Sequence, residues 1–132
     1  MTTIESKVTL SVPAASVYQF LADLNNHRQL MPENITDWKS TKDEARFNIQ
    51  NMAKLVLEIT NRTPNSEILI AAIENPPFPL QLKWEVQEAG TQTQASFTIA
   101  AELNIMMKML AGGQLQKLAD YETERLKELI KA

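Results

Sequence analysis

Cysteine is absent from the 132 residues, and histidine occurs once. Without cysteine the chain cannot form disulfides, thiolate metal sites or a cysteine nucleophile. A histidine-based metal site or catalytic triad would depend on His27 alone, because neither a second histidine nor a G-x-S-x-G motif accompanies it. We therefore predict no metal site, no cofactor and no catalytic residue. His27 itself is interpreted as an exposed or capping histidine at the polar junction between two helices.

Basic clusters and long apolar runs are missing as well. The formal net charge is -3, whereas nucleic-acid-binding proteins usually display a basic surface. The chain has no run of about 18 apolar residues to span a bilayer, and the first residues, MTTIESK, lack the charged-then-apolar order of a secretion signal. We expect a soluble cytoplasmic protein, a monomer or homodimer, that neither binds nucleic acid nor inserts stably into a membrane.

The composition that remains is that of a globular protein, with 44% hydrophobic and 22% charged residues. A chain of this length usually forms one domain and buries about two-thirds of its unfolded surface. We therefore predict a single domain that covers residues 1–132.

Two segments have the hydrophobic period of an amphipathic helix. The first predicts a helix from Pro13 to Leu24, followed by a short helical turn over residues 26–31. The second predicts a long helix at the C-terminal end of the chain. The apolar stripes are Val17, Phe20, Leu21 and Leu24 in the first helix, and Ala111, Leu115, Leu118, Ala119, Leu126, Leu129 and Ile130 in the second.

Between the helical segments, apolar and polar residues alternate. Such alternation is typical of antiparallel strands with one buried face, and the short connections TPNS and EAG suit hairpins. ENPPFPL is an exception, because its three prolines forbid regular ladder hydrogen bonds and predict a stiff, extended connection. The residues predicted to face inward are Ala45, Phe47, Ile49, Leu55, Leu57, Ile59, Leu80, Leu82, Trp84, Val86, Phe97, Ile99, Ala101 and Leu103.

The number of strands predicts how they are arranged. Seven strands form a sheet about 34 Å wide, whereas one helix is only about 10–12 Å across. A flat sheet would leave most of its apolar face uncovered. We therefore predict an α+β fold in which a curved, seven-stranded antiparallel sheet wraps around the long C-terminal helix, with two short helices between strands 1 and 2. This arrangement leaves an internal cavity with apolar walls.

The segment SVPAASVYQFLADLNNHRQLMP resembles the N-terminal signature of the START-like superfamily, also called SRPBCC or polyketide cyclase/dehydratase-like. The segment LNIMMKMLAGGQLQKLADYETERLKELIKA resembles the closing helix of that superfamily, particularly in bacterial members of unassigned function. The resemblance covers essentially the whole chain and implies the helix-grip fold. Members include lipid and hormone carriers, aromatic cyclases, quinone-binding chaperones and stress proteins, so the resemblance implies no single function.

We expect the cavity to bind or sense a small hydrophobic molecule, such as a lipid, a quinone or a polyketide-like compound, without catalysis. One alternative is a cyclase, dehydratase or isomerase in which Glu122, Tyr18 or Tyr121 supplies acid–base chemistry. A second alternative is a protein-interaction module without a ligand. The predicted ligand-binding residues are Phe47, Leu57, Ile70, Trp84, Phe97, Met106, Leu115, Leu118 and Glu122, the last as a polar anchor.

Glu122 and a methionine cluster distinguish the C-terminal helix. Glu122 falls within the apolar stripe, so its pKa should be raised unless it pairs with an arginine such as Arg46 or Arg62. A carboxyl in that position could bind a ligand hydroxyl or act as an acid. Methionines over residues 106–109 suit an adaptable pocket wall, and the glycine pair that follows predicts a kink or break in the helix.

Overall fold

The computed structural model describes residues 2–50, 53–76 and 78–130. Seven strands, three α-helices and one 3₁₀ turn follow one another along the chain. In chain order they are β1 (Thr2–Leu10), α1 (Ala14–Leu21), α2 (Leu24–His27), the 3₁₀ turn (Arg28–Leu30), β2 (Ile35–Ser40), β3 (Glu44–Ile49), β4 (Ala53–Thr63), β5 (Glu67–Ile73), β6 (Leu80–Ala89), β7 (Gln92–Ala101) and α3 (Ile105–Leu129).

The strands form one antiparallel sheet in the order β1-β7-β6-β5-β4-β3-β2. The sheet is curled into a half-barrel, and α3 packs against β1, β7 and the 3₁₀ turn. Apolar residues of the concave face alternate with polar residues, as in β7, where Ala95, Phe97 and Ile99 are buried. The predicted helix-grip architecture, with short helices between the first two strands, is confirmed.

The first helical segment is divided differently from the prediction. A single helix was expected from Pro13 to Leu24, but α1 ends at Leu21 and α2 begins at Leu24. Asp23 causes the division, because its side chain accepts a hydrogen bond from the backbone N–H of Asn25 at 2.9 Å and so caps the new helix. In place of the helical turn expected over residues 26–31, the chain forms α2 and the 3₁₀ turn.

The connection between β5 and β6 also differs from the prediction. Glu74 and Asn75 have φ values of 56° and 55°, so the connection begins with a left-handed turn and not with extended chain. Pro77 lies outside the described residues. The connection then brings Phe78 into the core.

The glycine pair of the C-terminal segment does not break α3, which is continuous from Ile105 to Leu129. Nothing lies within 4 Å of the place that a Cβ would take at Gly113, so no close approach explains this glycine. The predicted break is therefore wrong. The side chains of residues 106, 107 and 109–112, which include the methionine cluster, lie outside the described residues.

Candidate functional site

A cavity lies between the concave face of the sheet, α3 and the turn that follows α2. Its volume is about 40 Å³. One water molecule needs about 10–15 Å³ of such space, so the cavity has room for about three. The described residues that line it are Leu24, His27, Met31, Trp38, Phe47, Ile49, Leu55, Leu57, Ile70, Phe78, Leu80, Leu82, Trp84, Phe97, Ile99, Leu115, Leu118 and Glu122.

Eight of the nine residues predicted to bind a ligand line this one cavity. The ninth, Met106, belongs to α3, but its side chain lies outside the described residues. The strand residues meet there because alternation places them on the concave face. Leu115, Leu118 and Glu122 meet there because their spacing, i, i+3 and i+7, places them on one face of α3. Their part in ligand binding stays a prediction.

Trp84 and Phe97 form the floor of the cavity. They are paired in register on β6 and β7, and their rings stack with centroids 4.4 Å apart and an interplanar angle of 14°. The Trp84 side chain is fully buried, at 0% exposure. Its indole Nε1–H has no hydrogen-bond partner in the part of the chain that the structure describes.

Trp38 and Phe47, on the neighbouring strands β2 and β3, form a second stack at the other side of the cavity. Their centroids are 5.1 Å apart and their planes differ by 16°. Trp38 is half-buried, and its Nε1–H donates to Ser40 Oγ at 3.0 Å. Ser40 Oγ in turn donates to Asn25 Oδ1 at 2.7 Å, which ties β2 to α2.

Glu122 brings a carboxyl group into the apolar cavity. Its exposed fraction is 3%, and it makes no hydrogen bond or ion pair with residues 2–50, 53–76 or 78–130. Burial alone raises the pKa of Glu122 from 4.5 to about 8, because water no longer solvates the charged form. The carboxyl is therefore protonated at neutral pH and acts as a hydrogen-bond donor as well as an acceptor.

The expected arginine partners of Glu122 are engaged elsewhere. Arg46 pairs with Glu74 and Glu44, at 2.5 Å and 3.0 Å. The Nη2 of Arg62 contacts Asp43 at 2.7 Å, and its Nε donates to the carbonyl of Ala22 at 3.0 Å. The alternative that an arginine neutralises Glu122 is wrong.

His27 is the second ionisable group of the cavity wall. It was expected to be either exposed or a capping residue, and because only 3% of it reaches solvent, the exposed alternative is wrong. Nε2–H donates to the carbonyl of Leu21 at 2.8 Å and so caps the end of α1. Burial lowers the pKa of His27 from 6.5 to about 4, which keeps the ring neutral at neutral pH and leaves Nδ1 as its acceptor.

Several wall residues were missed from the sequence. Phe78 lies among the prolines of the β5–β6 connection, where no periodicity indicates an inward side chain, and the segment was interpreted as a connection or a stiff lid. Leu24 and Met31 lie at the ends of the short helical elements between β1 and β2. The orientation of these elements depends on the Asp23 cap. The cap itself, an aspartate before a polar helical turn, is the signal that could have revealed this.

A surface crevice adjoins the cavity. Its volume is about 220 Å³, and it is lined by residues of α3 and of the segment after the 3₁₀ turn. Leu118 lines both the crevice and the cavity, so its side chain separates the two spaces. Tyr121, 42% exposed, and Lys117 stand at the outer rim. Neither Tyr18 nor Tyr121 lines the cavity.

The described residues also bear on membrane and metal sites. None of the helices there combines the length and the apolarity needed to cross a bilayer. Within the same residues, no three side chains of His, Cys, Asp or Glu are grouped so that they could hold a metal ion.

Comparison with known proteins shows the family of the chain. A family model described as polyketide cyclase / dehydrase and lipid transport matches residues 1–131. The chain belongs to this family. The family is START-like, in agreement with the resemblance seen in the sequence. No curated protein matches the chain.

Solved structures with the same fold are distant in sequence. XoxI from Bacillus cereus has a TM-score of 0.78 at 12% identity, covering 98% of this chain and 95% of its own. TTHA0849 from Thermus thermophilus has a TM-score of 0.73 at 15% identity, and the similarity covers 96% of this chain and 95% of TTHA0849. A START superfamily protein from Mycobacterium smegmatis has a TM-score of 0.66 at 16% identity, with coverage of 97% and 99%. At such identities the similarity concerns the fold alone.

Proposed function

We propose that this protein binds a small, largely apolar molecule in the cavity between the curled sheet and α3, as a carrier or sensor. The apolar lining supports this, because ligand pockets are mostly hydrophobic with a few polar groups that fix orientation. The description of the family, which names lipid transport beside polyketide cyclases, is consistent with it. A cytoplasmic location and a monomeric or homodimeric state belong to the same proposal.

The single observation that carries the proposal is the carboxyl of Glu122, which is unpartnered among the described residues. Burying a polar group without a hydrogen bond costs free energy, and native proteins rarely leave such a group unused. Nothing in the described fold accepts or donates a hydrogen bond to Glu122. A ligand with a polar end would supply the missing partner, while its apolar part would contact Phe47, Trp84 and Phe97.

The small volume is consistent with a closed form of this site. A cavity that holds about three water molecules must widen before it accepts a larger guest. Leu118 is the side chain best placed to allow this, because it stands between the cavity and the outer crevice. A change of its rotamer would join the two spaces and open a path from solvent to Glu122.

The test begins with protein purified from its native host. We expect mass spectrometry of organic extracts to detect a co-purified apolar compound in stoichiometric amount. Glu122→Gln should reduce its amount without loss of stability, since glutamine keeps the shape of the carboxyl. Glu124→Gln, an exposed position on the same helix, serves as the matched control and should retain the compound.

The proposal fails under either of two results. The first is an empty wild-type protein that also binds no compound from a host lipid extract. The second is a Glu122→Gln variant that binds normally but is strongly destabilised, which would make the carboxyl a structural group.

A second candidate function, an isomerase, cyclase or dehydratase, is favoured by one observation: Glu122 and His27 line the same cavity. Burial shifts their pKa values in opposite directions, to about 8 and about 4, so a protonated carboxyl faces the same space as a neutral imidazole. Such a pair can divide acid and base roles. Enzymatic conversion would show as a changed mass of the extracted compound after incubation with the wild type and not with Glu122→Gln. An unchanged mass supports the carrier.

A further inference from the structure

The indole N–H of Trp84 is a buried donor that the described protein leaves unused. Two other buried polar side chains are satisfied: His27 donates to the carbonyl of Leu21, and Thr93 donates to that of Val12 at 2.5 Å. Trp38, the other tryptophan, donates to Ser40. Among the described buried side chains, Trp84 Nε1 is the fully enclosed nitrogen without a partner.

An unused donor in this position is costly. Leaving a buried N–H without an acceptor destabilises the folded state, whereas a phenylalanine in the same stack would carry no such penalty. Trp84 also lines the cavity, and its Nε1 is fully enclosed, so an oxygen atom of a bound molecule would meet this group once the cavity widens around the molecule. Unsatisfied buried groups in native proteins call for an explanation of this kind.

We propose that Trp84 Nε1–H is a ligand-binding donor that selects apolar molecules carrying an acceptor oxygen, such as a ketone carbonyl, over hydrocarbons of the same shape. This inference rests on the proposed binding function and assigns the chemical class of the ligand. The apolar walls pack against the body of the ligand, and this one N–H distinguishes ligands that carry an acceptor oxygen from those that do not.

Glu122 adds a second hydrogen-bonding group in the same cavity. Because burial keeps its carboxyl protonated at neutral pH, Glu122 can donate an O–H, as Trp84 donates an N–H. Two donors without acceptors of their own favour a carbonyl oxygen, which has two lone pairs.

Acetophenone and α-methylstyrene are suitable probes, because they have the same shape and differ only in C=O against C=CH₂. Titrations of ¹⁵N-labelled protein would follow the two indole N–H signals, which belong to Trp38 and Trp84. Trp38 is an internal control, since its N–H is already bonded to Ser40. Acetophenone should move the Trp84 signal downfield and leave the Trp38 signal in place, whereas α-methylstyrene should move neither downfield.

The affinities of the two probes give the second readout. One neutral hydrogen bond contributes about 0.5–1.5 kcal/mol, so acetophenone should bind about 2- to 12-fold more tightly than α-methylstyrene. Trp84→Phe should abolish this preference, and Trp38→Phe should keep it. The titrations are repeated with Leu118→Ala, which enlarges the cavity, so that a lack of space does not decide the outcome.

Each result has a separate meaning. Equal affinity for both probes, with the Trp84 signal unmoved, overturns the inference and leaves the binding function intact; this is also the result if a bound water already satisfies the N–H. A preference for acetophenone that persists in Trp84→Phe assigns the oxygen to another group and likewise overturns it. Failure of both probes to bind, in the wild type and in Leu118→Ala, contradicts the proposed function itself.

Discussion

Two tryptophan–phenylalanine stacks line the same cavity and differ in how their indole N–H groups are used. Trp38 stacks on Phe47 and donates to Ser40, on its own strand. Trp84 stacks on Phe97 at a shorter distance, 4.4 Å against 5.1 Å, yet its N–H has no partner among the described residues. The more deeply buried of two equivalent stacks is therefore the one that leaves a polar group unsatisfied.

The difference separates a bonded tryptophan from an unbonded one within one apolar core. The Trp38 stack belongs to a hydrogen-bonded link, through Ser40 to Asn25, that fastens the short helices to the sheet edge. The Trp84 stack contributes apolar surface but no hydrogen bond to the described protein. The same division holds for the ionisable residues: His27 is bonded to the backbone, and Glu122 has no bond to a described residue.

Removing each tryptophan is the most severe test of this comparison. Trp84→Ala should lower the free energy of unfolding by about 3–5 kcal/mol, the usual cost of deleting a fully buried large aromatic side chain. Trp38→Ala should cost clearly less, because half-burial means that part of its surface already contacts water. Urea denaturation of both variants, followed by far-UV circular dichroism, gives the two values. Equal costs would show that the two stacks do not differ in their contribution to packing.

A pH titration of stability extends the comparison to Glu122. The folded pKa of Glu122, about 8, exceeds its ordinary value of 4.5, so between these values the folded state holds a proton that the unfolded state has lost. Stability should therefore fall as pH rises toward 8, by up to about 1.4 kcal/mol per pH unit. Glu122→Gln should remove this fall and be more stable than the wild type at pH 8, as measured by urea denaturation across the range.

His27 gives the stability of the fold the opposite dependence on pH. Its folded pKa, about 4, lies below the ordinary 6.5, so its contribution to stability is present above pH 6.5 and is lost as pH falls toward 4. The two slopes oppose each other below pH 6.5, and the Glu122 effect should stand out between pH 6.5 and 8. A Glu122→Gln profile that parallels the wild type there would mean that the carboxyl is ionised in the folded protein, hence solvated or paired.

The periodicity of the sequence predicted much of this site. Alternation in the strands put Phe47 and Trp84 on the concave face, and the helical period put Glu122 on the inner stripe of α3, because regular elements fix side-chain direction. What periodicity could not predict lies in irregular segments. His27 and Phe78 face the cavity because of the Asp23 cap and the turn before the prolines, and neither feature repeats.

The partners of the polar groups could not be predicted either. Arg62 was a reasonable candidate to pair with Glu122, but a β-bulge between Ile59 and Asn61 shifts the register of β4 next to it. Its guanidinium reaches Asp43 and the carbonyl of Ala22. A β-bulge inserts one extra residue into a strand and so changes the face of the sheet on which the following side chains lie. A single sequence does not reveal the inserted residue, because the pairing register of the strands is not known.

The smallest expected effect concerns the satisfied tryptophan. Ser40→Ala removes the acceptor of the Trp38 N–H and should lower the free energy of unfolding by about 0.5–1.5 kcal/mol. Half-burial lets water replace part of the lost bond, which favours the lower end of that range. Ser96→Ala, on a central strand and without a side-chain hydrogen bond in the described structure, is the matched control and should stay within about 0.5 kcal/mol.

The same variant sharpens the comparison at the level of single atoms. In Ser40→Ala the Trp38 indole N–H signal should move upfield and exchange faster with solvent, because its acceptor is gone, while the Trp84 signal should not change. Trp84 would then remain the indole N–H that responds to a carbonyl in the cavity. If instead the two signals moved together, the stacks would be coupled through the core, and the separation of a structural tryptophan from a ligand-binding one would not hold.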